Sequence, residues 1–350
     1  MTIFVDFTHM YRAVTGLERI STELFSNQAL DPLKVTHIRA SSLKGLVSKQ
    51  WIGMPLSALS RPGSVMLCPG FPPSIALQMV CPRIIPYVHD LFAIEQPQYL
   101  HPAALFYSRP SLAHTLRRQD VFLVNSEKTR SELVARLQRS ARIELYRPTI
   151  RNIFDLQPRA PDPHRSTIHF VAVGTVDPRK NYHYAADIIE ALNERGRKAK
   201  LRIIGQPGGH EYRTLAGRNH VELCGYLNDA EVREAVLASD VLISTSLDEG
   251  LGLPLVELQY AGLLTVAVDI PIFREVLQGN SLYIPRARAG VAADMILQHL
   301  KSQDWRAAGR IQALRILEHY NGAASRDRET VIALIQDAEG SGIEAAKRTS

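Results

Sequence analysis

His169-Phe170-Val171-Ala172-Val173-Gly174-Thr175-Val176-Asp177-Pro178-Arg179-Lys180-Asn181 decides how the chain folds. Its first five residues form a short apolar run that ends at a glycine, the pattern of a strand buried on both faces. Asn181 then offers a helix start, Ala185, Ile188, Ile189 and Leu192 recur at helical spacing, and Gly196 supplies a stop. Strand, loop and helix in that order open a βαβ unit. The same alternation continues downstream. Leu201 to Gly205, Val221 to Leu223, Val241 to Ser244, Leu264 to Val268 and Leu282 to Ile284 read as strands, and Asp229 to Ala238 and Pro254 to Tyr260 as helices. The expectation is a parallel sheet covered on both faces.

Upstream the pattern is similar but noisier. Ile3-Phe4-Val5 reads as a strand and Leu17 to Phe25 as a helix, followed by strands at Val65 to Cys68, Ile84 to Val88 and Val121 to Val124. Arg147 to Arg165, with Pro148, Pro158, Pro161 and Pro163, reads as an interdomain linker. The expected organisation is therefore α/β: a Rossmann-like domain over 1–155, a second over 156–322, a helix over 323–338 packing back on the first domain, and a loose polar tail over 339–350. Two open α/β sheets in sequence make the cleft between them the expected site, outside the carboxyl ends of the strands.

Composition narrows the class. Apolar residues at 45% and charged residues at 22% are those of a globular chain, not of a disordered or fibrous one. No apolar run approaches the length of a membrane span, and Asp6, His9, Arg12, Glu18 and Arg19 leave no signal core at the start. Three cysteines, Cys68, Cys81 and Cys224, make neither a disulfide framework nor a paired metal site, which fits a reducing cytoplasmic location. Residues 1–160 hold 19 Lys and Arg against 11 Asp and Glu. An excess on one half points to an anionic partner or to a merely solvated face.

Two segments carry chemistry. Asp248-Glu249-Gly250-Leu251-Gly252-Leu253-Pro254-Leu255-Val256-Glu257 follows a strand and enters a helix, with Pro254 suited to the first helical position. Its glycines allow close backbone approach, and free N–H groups at a helix start favour an anion. The two glutamates would repel a phosphate, so they fit hydrogen bonds from sugar hydroxyls beside it; a tight turn plus a helix-start carboxylate is the plainer alternative. The second segment, Gly174 to Asn181, sets Arg179 and Lys180 at a strand's carboxyl end, where they would neutralise a diphosphate.

With these motifs in place the chain resembles the retaining GT-B glycosyltransferases of family 4, which include bacterial mannosyl- and glucosyltransferases. Glu249 and Glu257 match that family's E-x7-E motif, and Gly174 to Asn181 resembles its GT-x-x-PRKN form. Gly225-Tyr226-Leu227 with Asp229, and Phe273-Arg274-Glu275-Val276, also fit; the likeness is dense from about 168 to 285 and thinner upstream, at Thr15-Gly16-Leu17, Val88 to Leu91 and Val124 to Ser126. The resemblance implies two Rossmann-like domains facing each other across a cleft. It implies that Glu257 holds the ribose, Glu249 the hydroxyls of the transferred sugar, and Lys180 with Arg179 the diphosphate, aided by backbone N–H groups near Gly252 and Leu253. Gly16 would let a loop reach the phosphate, His89 would sit near the anomeric carbon, and Tyr226 and Leu227 would hold the base. Two positions depart from the pattern: Thr175 stands where many members carry Arg, and Leu17 where a second glycine often follows.

There is no D-x-D metal motif, no P-loop sequence, and no G-x-G-x-x-G after the first strand. His89 and Asp90 are adjacent in an extended segment and so point to opposite sides, which does not suit a catalytic dyad. The expected activity is metal-independent, retaining transfer of a hexose, taken as mannose from GDP-mannose, to a glycan or lipid-diphosphate-linked acceptor in cell-surface polysaccharide synthesis. It needs no cofactor beyond the nucleotide-sugar donor, and no nucleic acid. Arg109, Arg117, Arg118, Lys128, Arg130, Arg136, Arg139 and Arg142 would offer the acceptor a basic face and allow a peripheral contact at the inner membrane surface. A sugar phosphorylase, a nucleotide-sugar epimerase and a non-catalytic nucleotide-sugar-binding subunit are the alternatives.

Overall fold

The computed structural model describes residues 2–11, 16–99, 102–158, 166–286, 288–301 and 304–347. The chain divides into two compact units, one of Met1–Thr149 with Gly322–Ser350 and one of Ile150–Asn321. The expected boundary at 155 falls six residues late. Ile150 and Leu156 are buried, Ile150 N–H donates to Asn321 Oδ1 (2.8 Å), and Tyr260 Oη donates to Ile150 O (3.0 Å), so these residues belong to the second unit rather than to a linker. The linker's remainder, 159–165, lies outside the described residues, as does Thr15.

The first unit holds strands β1 (Ile3–Phe7), β2 (Val35–Arg39), β3 (Val65–Cys68), β4 (Ile84–Val88), β5 (Val121–Val124) and β6 (Arg142–Leu145), all parallel, in the order β2-β1-β3-β4-β5-β6. β1, β3 and β4 are buried throughout. The sequence pattern does not reveal β2 and β6. Both lie at sheet edges, where Thr36, His37, Arg39, Arg142 and Glu144 interrupt the apolar run.

The second unit holds β7 (Ile168–Val173), β8 (Ala199–Ile204), β9 (Val221–Gly225), β10 (Val241–Ser244), β11 (Leu264–Val268) and β12 (Leu282–Ile284), parallel, in the order β12-β11-β10-β7-β8-β9. The chain builds outward from β7 through β8 and β9, then returns to β10 on the other side of β7. The loops after β7 and β10 therefore emerge side by side, at the switch point where open α/β sheets bind ligands.

Asn181 precedes the helix Tyr182–Glu194 in a left-handed conformation (φ 51°) and makes no side-chain cap; Asn tolerates that region better than most residues. At the chain's end the expected separate helix is part of one helix, Trp305–Lys347. The tail expected to be loose from 339 is helical through 347, because extending an existing helix adds a hydrogen bond per residue without a new nucleus. In the first unit Arg147 grips Asp327 through Nε and Nη2 (2.6 and 2.9 Å), and Arg328 Nε donates to Ala29 O (2.7 Å).

Candidate active site

The loop after β7 and the loop after β10 are fastened together. Leu247 N–H donates to Arg179 O (2.8 Å), and Thr245 Oγ1 reaches the carbonyls of Lys180 and Asn181 (3.0 Å each). Asp177 caps the short turn Pro178–Lys180 by accepting from Lys180 N–H (3.2 Å). Close backbone crossings support the loop from beneath. A Cβ on Gly205 would lie 1.9 Å from Gly174 O, and one on Gly208 would lie 1.8 Å from Val176 O, so neither position accepts a side chain as built. Tyr182, buried below, donates to Gly174 O (3.2 Å).

These supports converge on Glu249. Lys180 Nζ donates to its Oε1 (2.5 Å), Arg179 Nη1 to its Oε2 (2.7 Å), and Ser246 Oγ to its Oε1 (2.8 Å), while Arg179 Nη1 also reaches Asp248 O (3.0 Å). Burial alone would raise the Glu249 carboxyl, but the charges of Lys180 and Arg179, with the hydrogen bonds from Lys180 and Ser246, hold it down at about 2. The trio is ionised and mostly buried, and Asp177 Oδ2 lies 3.8 Å from Arg179 Nη2, so two carboxylates face the two cations. The cluster can offer cationic hydrogen-bond donors to an incoming anion, and it holds a carboxylate in place as an acceptor for hydroxyls.

Gly252, at φ +75°, turns the chain into the helix Leu253–Glu257; a Cβ there would meet Phe273 at 3.2 Å. Glu257, buried, closes that helix. Tyr226 and Leu227 follow β9; Tyr226 is exposed and Leu227 half-buried. Thr175 is exposed on the β7 loop. Of the residues singled out in this unit, the structure brings Arg179, Lys180 and Glu249 into direct contact. The sequence pattern passes over Ser246, Asp177, Gly205 and Gly208: single serines and glycines in loops carry no spacing that marks them.

His89 and Gly16 lie in the first unit. Gly16 opens the helix Gly16–Phe25. His89 follows β4, and its Nε2 donates to Pro69 O (2.6 Å), which leaves Nδ1 without a proton in the neutral ring. Burial, against that hydrogen bond and the nearby Glu18, pulls the imidazole down to about 4. At the carboxyl end of β1 sits a second polar group that the sequence does not flag. Asp6 accepts from Thr8 N and Oγ1 (2.9 and 2.6 Å) and from Gln50 Nε2 (3.0 Å), all buried. A mostly apolar cavity of about 550 Å³ lies nearby, with Leu17, Val47, Phe71, Tyr87 and His89 in its wall. The basic face expected on 127–142 is largely neutralised: Arg136 pairs with Glu95 (2.6 Å), Arg139 with Asp120 (2.8 Å), Lys128 with Glu132 (2.7 Å) and Arg142 with Glu144 (2.8 Å).

Residues 157–313 match the family model of the glycosyl transferases group 1. Over 121 residues the chain is 32% identical to the serotype-specific mannosyltransferase WbdA of Escherichia coli, a match spanning 33% of this chain and 15% of the relative's length. It is 22% identical over 248 residues to the O-antigen chain mannosyltransferase B of Escherichia coli, covering 66% of this chain and 65% of that one. Among solved structures, WaaG, a glycosyltransferase involved in lipopolysaccharide biosynthesis, superimposes with a TM-score of 0.68 at 15% identity over 96% of this chain and 99% of its own. Likeness at that identity speaks for the fold, and the fold is GT-B.

Proposed function

We propose that the protein is a retaining hexosyltransferase that moves mannose from GDP-mannose onto a glycan or lipid-linked glycan acceptor in cell-surface polysaccharide synthesis. The observation that carries this reading is the Arg179–Lys180–Glu249 cluster at the switch point between β7 and β10. A diphosphate arriving there would draw on two cations already desolvated and oriented, so little reorganisation accompanies charge development on the leaving group. Glu249, held ionised by the same cations, would accept hydroxyl hydrogen bonds from the transferred sugar, and buried Glu257 those of the ribose. Tyr226 and Leu227 would border the base.

In the proposed reaction the acceptor oxygen attacks from the face the diphosphate leaves, and the departing diphosphate takes the acceptor's proton. Protein groups position the partners and stabilise charge. His89, with Nε2–H committed to a backbone carbonyl and burial holding its pKa at about 4, would contact the donor sugar as a neutral ring. Arg179 and Lys180 would do the work a divalent ion does elsewhere, which makes the proposed transfer metal-independent. The relatives' printed functions, mannosyl transfer in two cases, favour mannose.

Donor hydrolysis measured across GDP-, UDP- and ADP-sugars tests the assignment. GDP-mannose should turn over fastest, with the product retaining its anomeric configuration and with rates unchanged by EDTA. Preference for another base or sugar overturns the donor, and loss of activity in EDTA restored by magnesium overturns metal independence. A strict need for inorganic phosphate would make the protein a phosphorylase.

A further inference from the structure

Residues 43–60 form a nearly continuous helical rod in the first unit: Leu43–Ser48 and Met54–Ser60 are α-helical and Lys49–Gly53 is a π-turn. Leu46, Gln50, Met54 and Ala58 recur every four residues and are buried. The opposite side is also apolar. Leu43, Ile52, Leu56 and Leu59 expose 57–64% of their surface, and Val47 and Trp51 are exposed as well. Large apolar side chains on the outer face as well as the inner one are more than a helix covered on one side needs. Its only charges are Lys44 and Lys49, and the whole span 32–89 carries six Lys and Arg and no Asp or Glu.

We propose that the outer face of this rod, through Leu43, Val47, Trp51, Ile52, Leu56 and Leu59, docks on an anionic lipid bilayer and lies in its interface. The occupant follows from the charge. An exposed apolar face bordered by lysines, with no carboxylate for nearly sixty residues of chain, complements acidic headgroups above an acyl layer. A protein partner of ordinary composition would meet no such one-signed border. A Trp at the flank suits the headgroup level. Leu43 and Val47 also line the 550 Å³ apolar cavity, so the docked face is continuous with a space suited to the hydrocarbon part of a lipid. Among the described residues no helix is long and apolar enough to cross a membrane, so the attachment is a surface one. The inference moves the membrane contact away from the arginines of 127–142, which are held in ion pairs.

Trp51 and Trp305 are the two tryptophans, and Trp305 is buried, so Trp305→Phe in the full chain leaves Trp51 as reporter. Vesicles of phosphatidylcholine with about one third phosphatidylglycerol, carrying brominated acyl chains, should quench and blue-shift Trp51 at low salt, and pure phosphatidylcholine much less. The triple variant Ile52→Ser, Leu56→Ser, Leu59→Ser alters exposed positions and should keep its melting temperature while cosedimentation falls at least about tenfold. Lys44→Gln and Lys49→Gln should each weaken binding roughly fivefold. Should Trp305→Phe fold poorly, the difference between wild type and Trp51→Phe gives the same readout. No quenching on anionic vesicles overturns the proposal. So does a concentration-dependent dimer that the triple variant abolishes, which would make this face a contact between copies. Nucleotide binding by these variants should be unchanged, so failure of docking leaves the transferase reading standing.

Discussion

In the second unit the chain reverses direction across its sheet between β7 and β10; in the first the reversal falls between β1 and β3. Each reversal opens a crevice at the carboxyl ends of the strands. The crevices are filled differently. Beside β7 and β10 stand two cations and a carboxylate with its pKa held at about 2. Beside β1 and β3 stand a buried carboxyl that desolvation raises, a glutamine and a threonine, next to an apolar cavity. One architecture thus makes a crevice built for charge and another built for neutral or apolar groups. The difference lies in the loops, not in the sheets.

Removing the centre of the charged crevice should have the largest effect. Glu249→Ala removes the carboxylate that both Arg179 and Lys180, mostly buried, pair with, and breaking a buried pair from one side costs about 3–5 kcal/mol. Trp305 belongs to the second unit and Trp51 to the first, so single-tryptophan variants report the two unfolding transitions separately in urea. The expected result is a lower midpoint at Trp305 and an unchanged one at Trp51. A shift below about 1 kcal/mol would mean that the cluster is solvated and the contrast between the crevices is superficial.

Next in size is catalysis. Lys180→Ala and Arg179→Ala should each lower turnover at saturating donor by about 100-fold, the effect of removing one donor from a developing anion. The double variant should be nearly inactive. Full turnover in either single variant would take that cation out of the proposed diphosphate site.

How much of this could be read from the residues follows the same divide. β3, β4, β5, β10 and β11 are mostly apolar and buried at all but at most one terminal residue, so their ends coincide with the ends of the runs, and β12, a half-exposed edge strand, is legible because Leu282, Tyr283 and Ile284 are all apolar. β2 and β6 are sheet edges, and half-exposed edges mix in polar residues that hide the strand. In the second unit the Arg179–Lys180–Glu249 cluster is legible because its residues fall in two short motifs whose strands turn out to be neighbours. The contact of Arg179 and Lys180 with Glu249 spans some 70 positions and depends on register, which no local pattern encodes. In the first unit Gln50 reaches Asp6 across 44 positions from a π-turn, and neither the turn nor the contact leaves a periodic trace.

Glu257→Ala should act on binding more than on chemistry. If Glu257 accepts ribose hydroxyls, losing it should cost about 1–3 kcal/mol of affinity for the nucleoside diphosphate by calorimetry. Unchanged affinity in the folded variant removes it from the site. The same substitution should leave the Trp51 transition in place, which keeps the effect inside the second unit.

The smallest expected effect separates the two units by acid. His89 has its pKa lowered from 6.5 to about 4, so the unfolded chain binds a proton first, and the stability this residue contributes is complete above about 6.5 and lost as pH falls towards 4. Glu249 is lowered from 4.5 to about 2, so its contribution survives to about 4.5 and is lost below that. Asp6, raised by burial, favours the fold as pH falls and so cannot imitate the loss assigned to His89. Denaturant midpoints between pH 7 and 4.5 should therefore drop further at Trp51 than at Trp305, where burial lowers His299 in the same direction but by less. His89→Gln, whose amide can still donate to Pro69 O, should flatten the Trp51 curve in that window. Parallel curves for the two tryptophans, or a slope at Trp51 that His89→Gln leaves untouched, would show that His89 titrates freely and that the first unit's crevice is wetter than its geometry implies.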